Sequence, residues 1–197
     1  MNLVFIGMSG SGKSVFAEYC SNLLNMPLVD TDAEIEKKFG DLSSIFSNDG
    51  EAFFRAAEEK ELIDVSQKDN RCVATGGGAV LSETGMRALK KSGLLVYLKC
   101  NPETLFERLK NKQTPVRPLL NGENAGDDLF RNIQNMLINR FELYEKYADI
   151  IIYEDEVLKS RGIFGDELGV QLGAIYIELV RALEKKVDDD RRKYART

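Results

Sequence analysis

A short apolar run, Leu3-Val4-Phe5-Ile6, is followed at once by Gly7-Met8-Ser9-Gly10-Ser11-Gly12-Lys13-Ser14. The octet fits G-x-x-x-x-G-K-[ST], a pattern that works only as strand, tight turn and helix in succession. Its glycines let the backbone curl so that successive N–H groups converge on an anion. Lys13 brings a positive charge to β- and γ-phosphates, and the Ser14 hydroxyl is suited to ligate Mg²⁺. A helix running on from Ser14 adds its positive dipole end at the same spot. The spacing therefore predicts a nucleoside triphosphate with Mg²⁺, held by Gly10, Ser11, Gly12, Lys13, Ser14 and Val15, with Lys13 also acting in catalysis.

The rest of the chain alternates apolar strand-like runs with helical segments, the mark of a parallel sheet covered on both faces. Strands are expected near 2–6, 27–30, 71–75, 94–99 and 149–153. Helices are expected near 13–25, 32–39, 51–68, 83–91, 102–111 and 126–147. The predicted fold is α/β, three layers around a five-stranded parallel sheet. Thr31-Asp32-Ala33-Glu34 reads as a capping box, and Asn101-Pro102 as an N-cap with a first-turn proline. At 197 residues the chain has the length of one α/β domain, 1–197.

Composition removes several classes of function. The net charge of −5, without a basic stripe, argues against a nucleic-acid partner. No apolar run approaches the ~18 residues of a membrane span, and no basic segment with a long apolar one behind it marks a secretory signal. Cys20, Cys72 and Cys100 are odd in number and lie in apolar stretches, so buried free thiols in a reducing cytoplasm are expected. Histidine is absent, which leaves acid–base chemistry to carboxylates, Lys, Tyr or the substrate itself.

Residues 111–126 carry two prolines and two glycines around a single arginine, Arg117. That composition reads as a long surface loop, and such loops in compact domains are usually lids or binding loops. Farther on, Leu168, Leu172, Ile175, Leu179 and Leu183 recur at helical spacing and predict an amphipathic helix. It lies within an extra C-terminal region of about 165–197, whose charged end, Val187 to Thr197, is expected to fray.

A phosphate loop alone specifies only ATP or GTP. Four further elements narrow the second substrate: Asp30-Thr31-Asp32 at the end of the second strand, Phe54-Arg55 on a long helix, Gly76-Gly77-Gly78 at the end of the third strand, and Arg140 with Tyr144 one helical turn apart. Ligands of parallel sheets collect beyond the carboxyl ends of the strands, where the phosphate loop, the Asp pair and the Gly triplet all lie, so those three should face one cleft. Together with Arg117-Pro118-Leu119-Leu120, they make the chain from about residue 3 to residue 153 resemble the shikimate kinase family, within the nucleoside-monophosphate-kinase-like fold of P-loop kinases.

The resemblance implies transfer of the γ-phosphoryl group of ATP to a hydroxyl of shikimate, giving shikimate 3-phosphate on the route to chorismate and the aromatic amino acids. It implies a cytoplasmic monomer with a substrate-binding segment at about 31–60 and a lid at about 111–126. Arg55 and Arg140 would hold the ring carboxylate as guanidinium forks. Asp32 would bind ring hydroxyls and take the proton of the attacking one. Gly76, Gly77 and Gly78 would admit the ring where a side chain would collide. Asp30 would act on Mg²⁺ through water beside Ser14, and Arg117 would close over the phosphates and stabilise transition-state charge.

Each residue also has a plainer reading. Asp32 fits a helix dipole, Arg55 can pair with Glu58 or Glu59 on its own helix, Gly76–Gly78 can be a simple turn, Arg140 a solvated helix charge, and Arg117 a solubilising one. The family's run of basic residues before the lid arginine is here Lys110-Asn111-Lys112-Gln113-Thr114, and Glu154-Asp155-Glu156-Val157 leaves the adenine contacts unassigned. A nucleotide switch is disfavoured, since Thr114 stands where a guanine-binding carboxylate would be needed. A kinase of the same fold acting on gluconate or a nucleoside monophosphate, and a relative that binds without turnover, are the remaining alternatives.

Overall fold

The computed structural model describes residues 1–110, 127–163 and 167–194. Its five strands are β1 (Asn2–Ile6), β2 (Leu28–Asp30), β3 (Cys72–Ala74), β4 (Gly93–Lys99) and β5 (Ile150–Tyr153). They form one sheet in the order β2-β3-β1-β4-β5, parallel throughout, with Val4 opposite Val73 on one side and Leu95 on the other. Helices α1 (Lys13–Leu24), α2 (Thr31–Phe39), α3 (Leu42–Asn48), α4 (Gly50–Ser66), α5 (Glu83–Ser92), α6 (Pro102–Lys110), α7 (Asp127–Tyr147), α8 (Glu154–Ser160) and α9 (Leu168–Tyr194) complete the described elements.

The central strand shows why three layers form. Every residue of β1 is buried, and alternate side chains serve opposite cores. Val4 and Ile6 pack with Leu62, Leu89 and Tyr144 from α4, α5 and α7. Leu3 and Phe5 pack with Phe16, Val157 and Ile175 from α1, α8 and α9. A strand covered on both faces needs an unbroken apolar run, and burial of each such side chain contributes about 1.5–3 kcal/mol. Ile35, Ile45 and Phe54 make a third, small core that unites α2, α3 and α4.

The five expected strands and six expected helices all appear, with ends shifted by no more than two residues. Two helices were not anticipated. One is α3, which Asp41 caps through its carboxylate on the Ser44 amide at 3.0 Å. The other is α8, which begins with the Glu154-Asp155-Glu156-Val157 segment.

The capping box at the head of α2 is also corrected. Asp30 is the N-cap, accepting from the Asp32 and Ala33 amides at 3.1 and 3.3 Å. Thr31 instead takes the Gly76 amide on its hydroxyl at 3.1 Å. A carboxylate at a helix N-terminus gains from the dipole as well as from the hydrogen bonds. At the other end of the chain α9 stays helical to Tyr194, through most of the segment expected to fray. Its Glu, Lys and Arg residues are good helix formers. Of its apolar stripe, Ile175 and Leu179 are buried and Leu172 and Leu183 half-buried, whereas Leu168 is exposed. The expected lid at 111–126 lies outside the described residues, as does Arg117.

Candidate active site

All five strands end on one side of the molecule, and the segments that leave them there carry the chemistry. Out of β1 comes the phosphate loop. Gly10 and Gly12 sit at φ +87° and +81°, the left-handed region that a side chain would strain. Lys13 is buried at the start of α1 and its ammonium donates to the Met8 carbonyl at 2.7 Å, so the lysine spans the loop it belongs to. Ser14 is exposed and Val15 half-buried on the first turn of the same helix. The Ser14 hydroxyl donates to Oδ2 of Asp30 at 2.6 Å, while Oδ1 of that carboxylate caps α2.

Beside this loop stands a cluster drawn from four elements. The Gly76–Gly78 turn after β3 is packed so closely that a methyl group at any of the three would collide. At Gly76 it would strike the Asp32 and Glu58 carboxylates, at Gly77 the Ser9 backbone and hydroxyl, and at Gly78 the Arg55 guanidinium. Arg55 on α4 bonds Glu58 Oε2 at 2.6 Å and Glu51 Oε1 at 3.2 Å, and lies 5.2 Å from the Phe54 ring centroid. The pairing on its own helix and the placement in the cluster are thus both observed. Arg140 on α7 donates to the Gly77 carbonyl at 3.3 Å, and the Tyr144 hydroxyl donates to the same oxygen at 2.6 Å. Asp32, Arg55, Arg140 and the glycine turn are brought together, and Ser9 joins that group to the phosphate loop.

Two participants escaped the sequence reading. Glu58 is 1% exposed. Burial raises its carboxyl above the usual range, and the Arg55 and Arg140 guanidiniums act against that shift. Its spacing from Arg55 was visible but pointed equally to a plain helix-face pair.

The second is Arg108, on α6 beside the phosphate loop. It donates to Glu154 Oε1 at 2.5 Å and to the Gly10 carbonyl at 3.4 Å. The Cys100 thiol donates to Glu154 Oε2 at 2.9 Å; burial, and then the adjoining carboxylate, hold that thiol well above its ordinary pKa. Cys20, Cys72 and Cys100 are all buried and free, as expected. Nothing local marks Arg108, because its partner comes from β5's exit, 46 residues away.

A sequence model of shikimate kinases matches residues 9–189. The chain belongs to the shikimate kinase family. Among relatives, the shikimate kinase of Thermodesulfovibrio yellowstonii is 41% identical over 152 residues, 77% of this chain and 84% of that protein. The fold agrees as well. A shikimate kinase from Bacteroides thetaiotaomicron superposes with a TM-score of 0.79 at 30% identity, covering 93% of this chain and 98% of the other. The Acinetobacter baumannii shikimate kinase, solved in complex with shikimate, gives 0.77 at 28% identity with 94% of both chains covered.

Proposed function

We infer that this chain is a shikimate kinase, which passes the γ-phosphoryl group of ATP to a ring hydroxyl of shikimate and releases shikimate 3-phosphate and ADP. The observation that carries this reading is the convergence of Asp32, Arg55, Arg140 and Gly76–Gly78 beside the phosphate loop, in a member of that family. Phosphoryl transfer asks little covalent chemistry of a protein and much positioning and charge stabilisation.

Each group has a part in that division. The phosphate-loop amides and Lys13 hold the β- and γ-phosphates. Arg55 and Arg140 present guanidiniums on two different helices, able to grip one carboxylate from two directions. Glu58 keeps Arg55 turned toward the glycine turn. Asp32, packed on Gly76, receives ring hydroxyls and accepts the proton released as the hydroxyl attacks. Arg117 is the remaining candidate for charge stabilisation on the phosphoryl group. The space that side chains would take at the glycine turn is filled by Asp32, Glu58, Ser9 and Arg55, so the glycines serve to draw these groups close to the backbone, a correction to the expectation that they admit the ring.

Ser14 and Asp30 fit Mg²⁺: a hydroxyl and a carboxylate oxygen 2.6 Å apart are hard oxygen donors. No cluster of three or more His, Cys, Asp or Glu suited to a metal occurs among the described residues. A magnesium ion here would be held by one or two protein groups plus the substrate phosphates. When bound there, Mg²⁺ neutralises charge on the phosphates.

Buried free thiols support a reducing compartment such as the cytoplasm. No described helix is long and apolar enough to cross a membrane.

The test is ADP release at saturating ATP and Mg²⁺ with shikimate, gluconate or AMP as acceptor. Turnover on shikimate should exceed the other two by more than about a hundredfold, as expected where buried charged groups must find their partner. Equal or faster turnover on gluconate or AMP would refute the assignment.

A further inference from the structure

Tyr144 is fully buried in the core beneath the two ligand loops, with its ring stacked on Tyr97 at 4.8 Å between centroids and 20° between planes. Its hydroxyl reaches out of that stack to the Gly77 carbonyl at 2.6 Å and lies 3.6 Å from Met8 Sδ in the phosphate loop. Gly77 in turn backs directly onto Ser9. The Gly77 peptide is therefore the point at which the phosphate loop and the acid-binding turn touch, and Tyr144 supports it from below.

The Gly77 carbonyl accepts two donors of unequal standing. Tyr144 holds it at 2.6 Å, and the Arg140 guanidinium meets it only at 3.3 Å. A carbonyl oxygen has two acceptor lone pairs, so both bonds stand together, and the shorter O–H···O bond is the one that fixes the carbonyl for the longer contact from Arg140. We propose that Tyr144 is a positioning residue for acid binding: by fixing the Gly77 carbonyl from below it sets the support against which the Arg140 guanidinium rests while facing the substrate carboxylate. Without the hydroxyl the Gly77 peptide loses its shorter bond, and the guanidinium that rests on it loses its fixed place beside the ligand. Burial raises the Tyr144 phenol above its ordinary pKa, so it remains an O–H donor through the working pH range. This inference rests on the shikimate kinase reading, because it needs an acidic acceptor at Arg140.

The experiment compares wild type with Tyr144→Phe, which keeps the ring and its stack and removes one hydroxyl. With both substrates varied, Tyr144→Phe should raise KM for shikimate about three- to tenfold, the effect of one lost buried hydrogen bond, while KM for ATP stays within about twofold. In an Arg140→Ala background the same change should have no further effect on kcat/KM for shikimate, since the group being positioned is gone. Tyr97→Phe, which preserves the stack and has no bond to Gly77, should match wild type. A Tyr144→Phe enzyme with unchanged KM for shikimate overturns the proposal. So does an equal rise for both substrates, or a full effect that persists without Arg140; either of those reports a core tyrosine with a general structural role. Wild-type turnover on shikimate reads the reaction itself, and a wild type inert toward shikimate removes the underlying function along with the proposal.

Discussion

The two halves of the site are built in opposite ways. The phosphate loop uses eight consecutive residues and mostly backbone, and its one long side chain folds back on its own loop, Lys13 onto Met8. The acid-binding half uses side chains from α2, α4 and α7 around a glycine turn, brought together by sheet order and three separate cores. A contiguous site keeps its shape as long as one strand and one helix stay paired. A convergent site depends on every element that contributes to it. Loss of a group from the first half should therefore abolish chemistry, whereas loss of a guanidinium from the second should weaken selection of the acceptor.

Substitutions can break that contrast. Lys13→Ala should have the largest effect, lowering kcat by at least about a hundredfold, the scale of losing one preorganised donor to developing charge. Single-turnover ADP formation measures it, and appreciable residual turnover would contradict the phosphate contact. Next, Arg55→Ala should raise KM for shikimate about ten- to a hundredfold through loss of a charge-assisted fork, with KM for ATP nearly unchanged. Parallel losses for both ligands would show that the arginine serves the fold.

Glu58→Gln should act most gently and sharpen the comparison most. Burial holds the Glu58 carboxyl above its unfolded range, against the pull of Arg55 and Arg140. The stability it contributes is thus fully present below the ordinary carboxylate pKa and is lost as pH rises through the elevated folded value. At neutral pH the neutral amide should melt no lower than wild type, and that relation should level out in acid. KM for shikimate should nevertheless rise about threefold as Arg55 loses part of its hold. A clear drop in melting temperature at neutral pH would show instead that the charged pair stabilises the fold.

The same contrast explains what could be read from the residues alone. The phosphate loop is a local pattern, so Gly7–Ser14 announced both its geometry and its ligand. The sheet followed from alternating apolar runs, since a strand buried on both faces leaves no polar interruption, as β1 and β4 show. Arg55 and Arg140 are 85 positions apart (140 − 55), and only their resemblance to a family placed them together. Glu58, Arg108 and Glu154 carried no such mark, because a charged residue on a helix looks the same whether it faces water or a partner on a distant element. The cap of α2 was misplaced by one residue for a related reason: Thr31 is as good a local cap as Asp30, and a long-range bond to Gly76 decided between them.

Asp30 joins these two halves through a single side chain. One of its oxygens faces Ser14 and the other holds the first amides of the helix that bears Asp32. The separation between the Ser14 hydroxyl and the start of that helix is consequently spanned by the rigid width of one carboxylate. The two sides cannot separate without breaking the Ser14 bond or uncapping the helix, so one carboxylate couples the spacing of the phosphate loop to the position of Asp32.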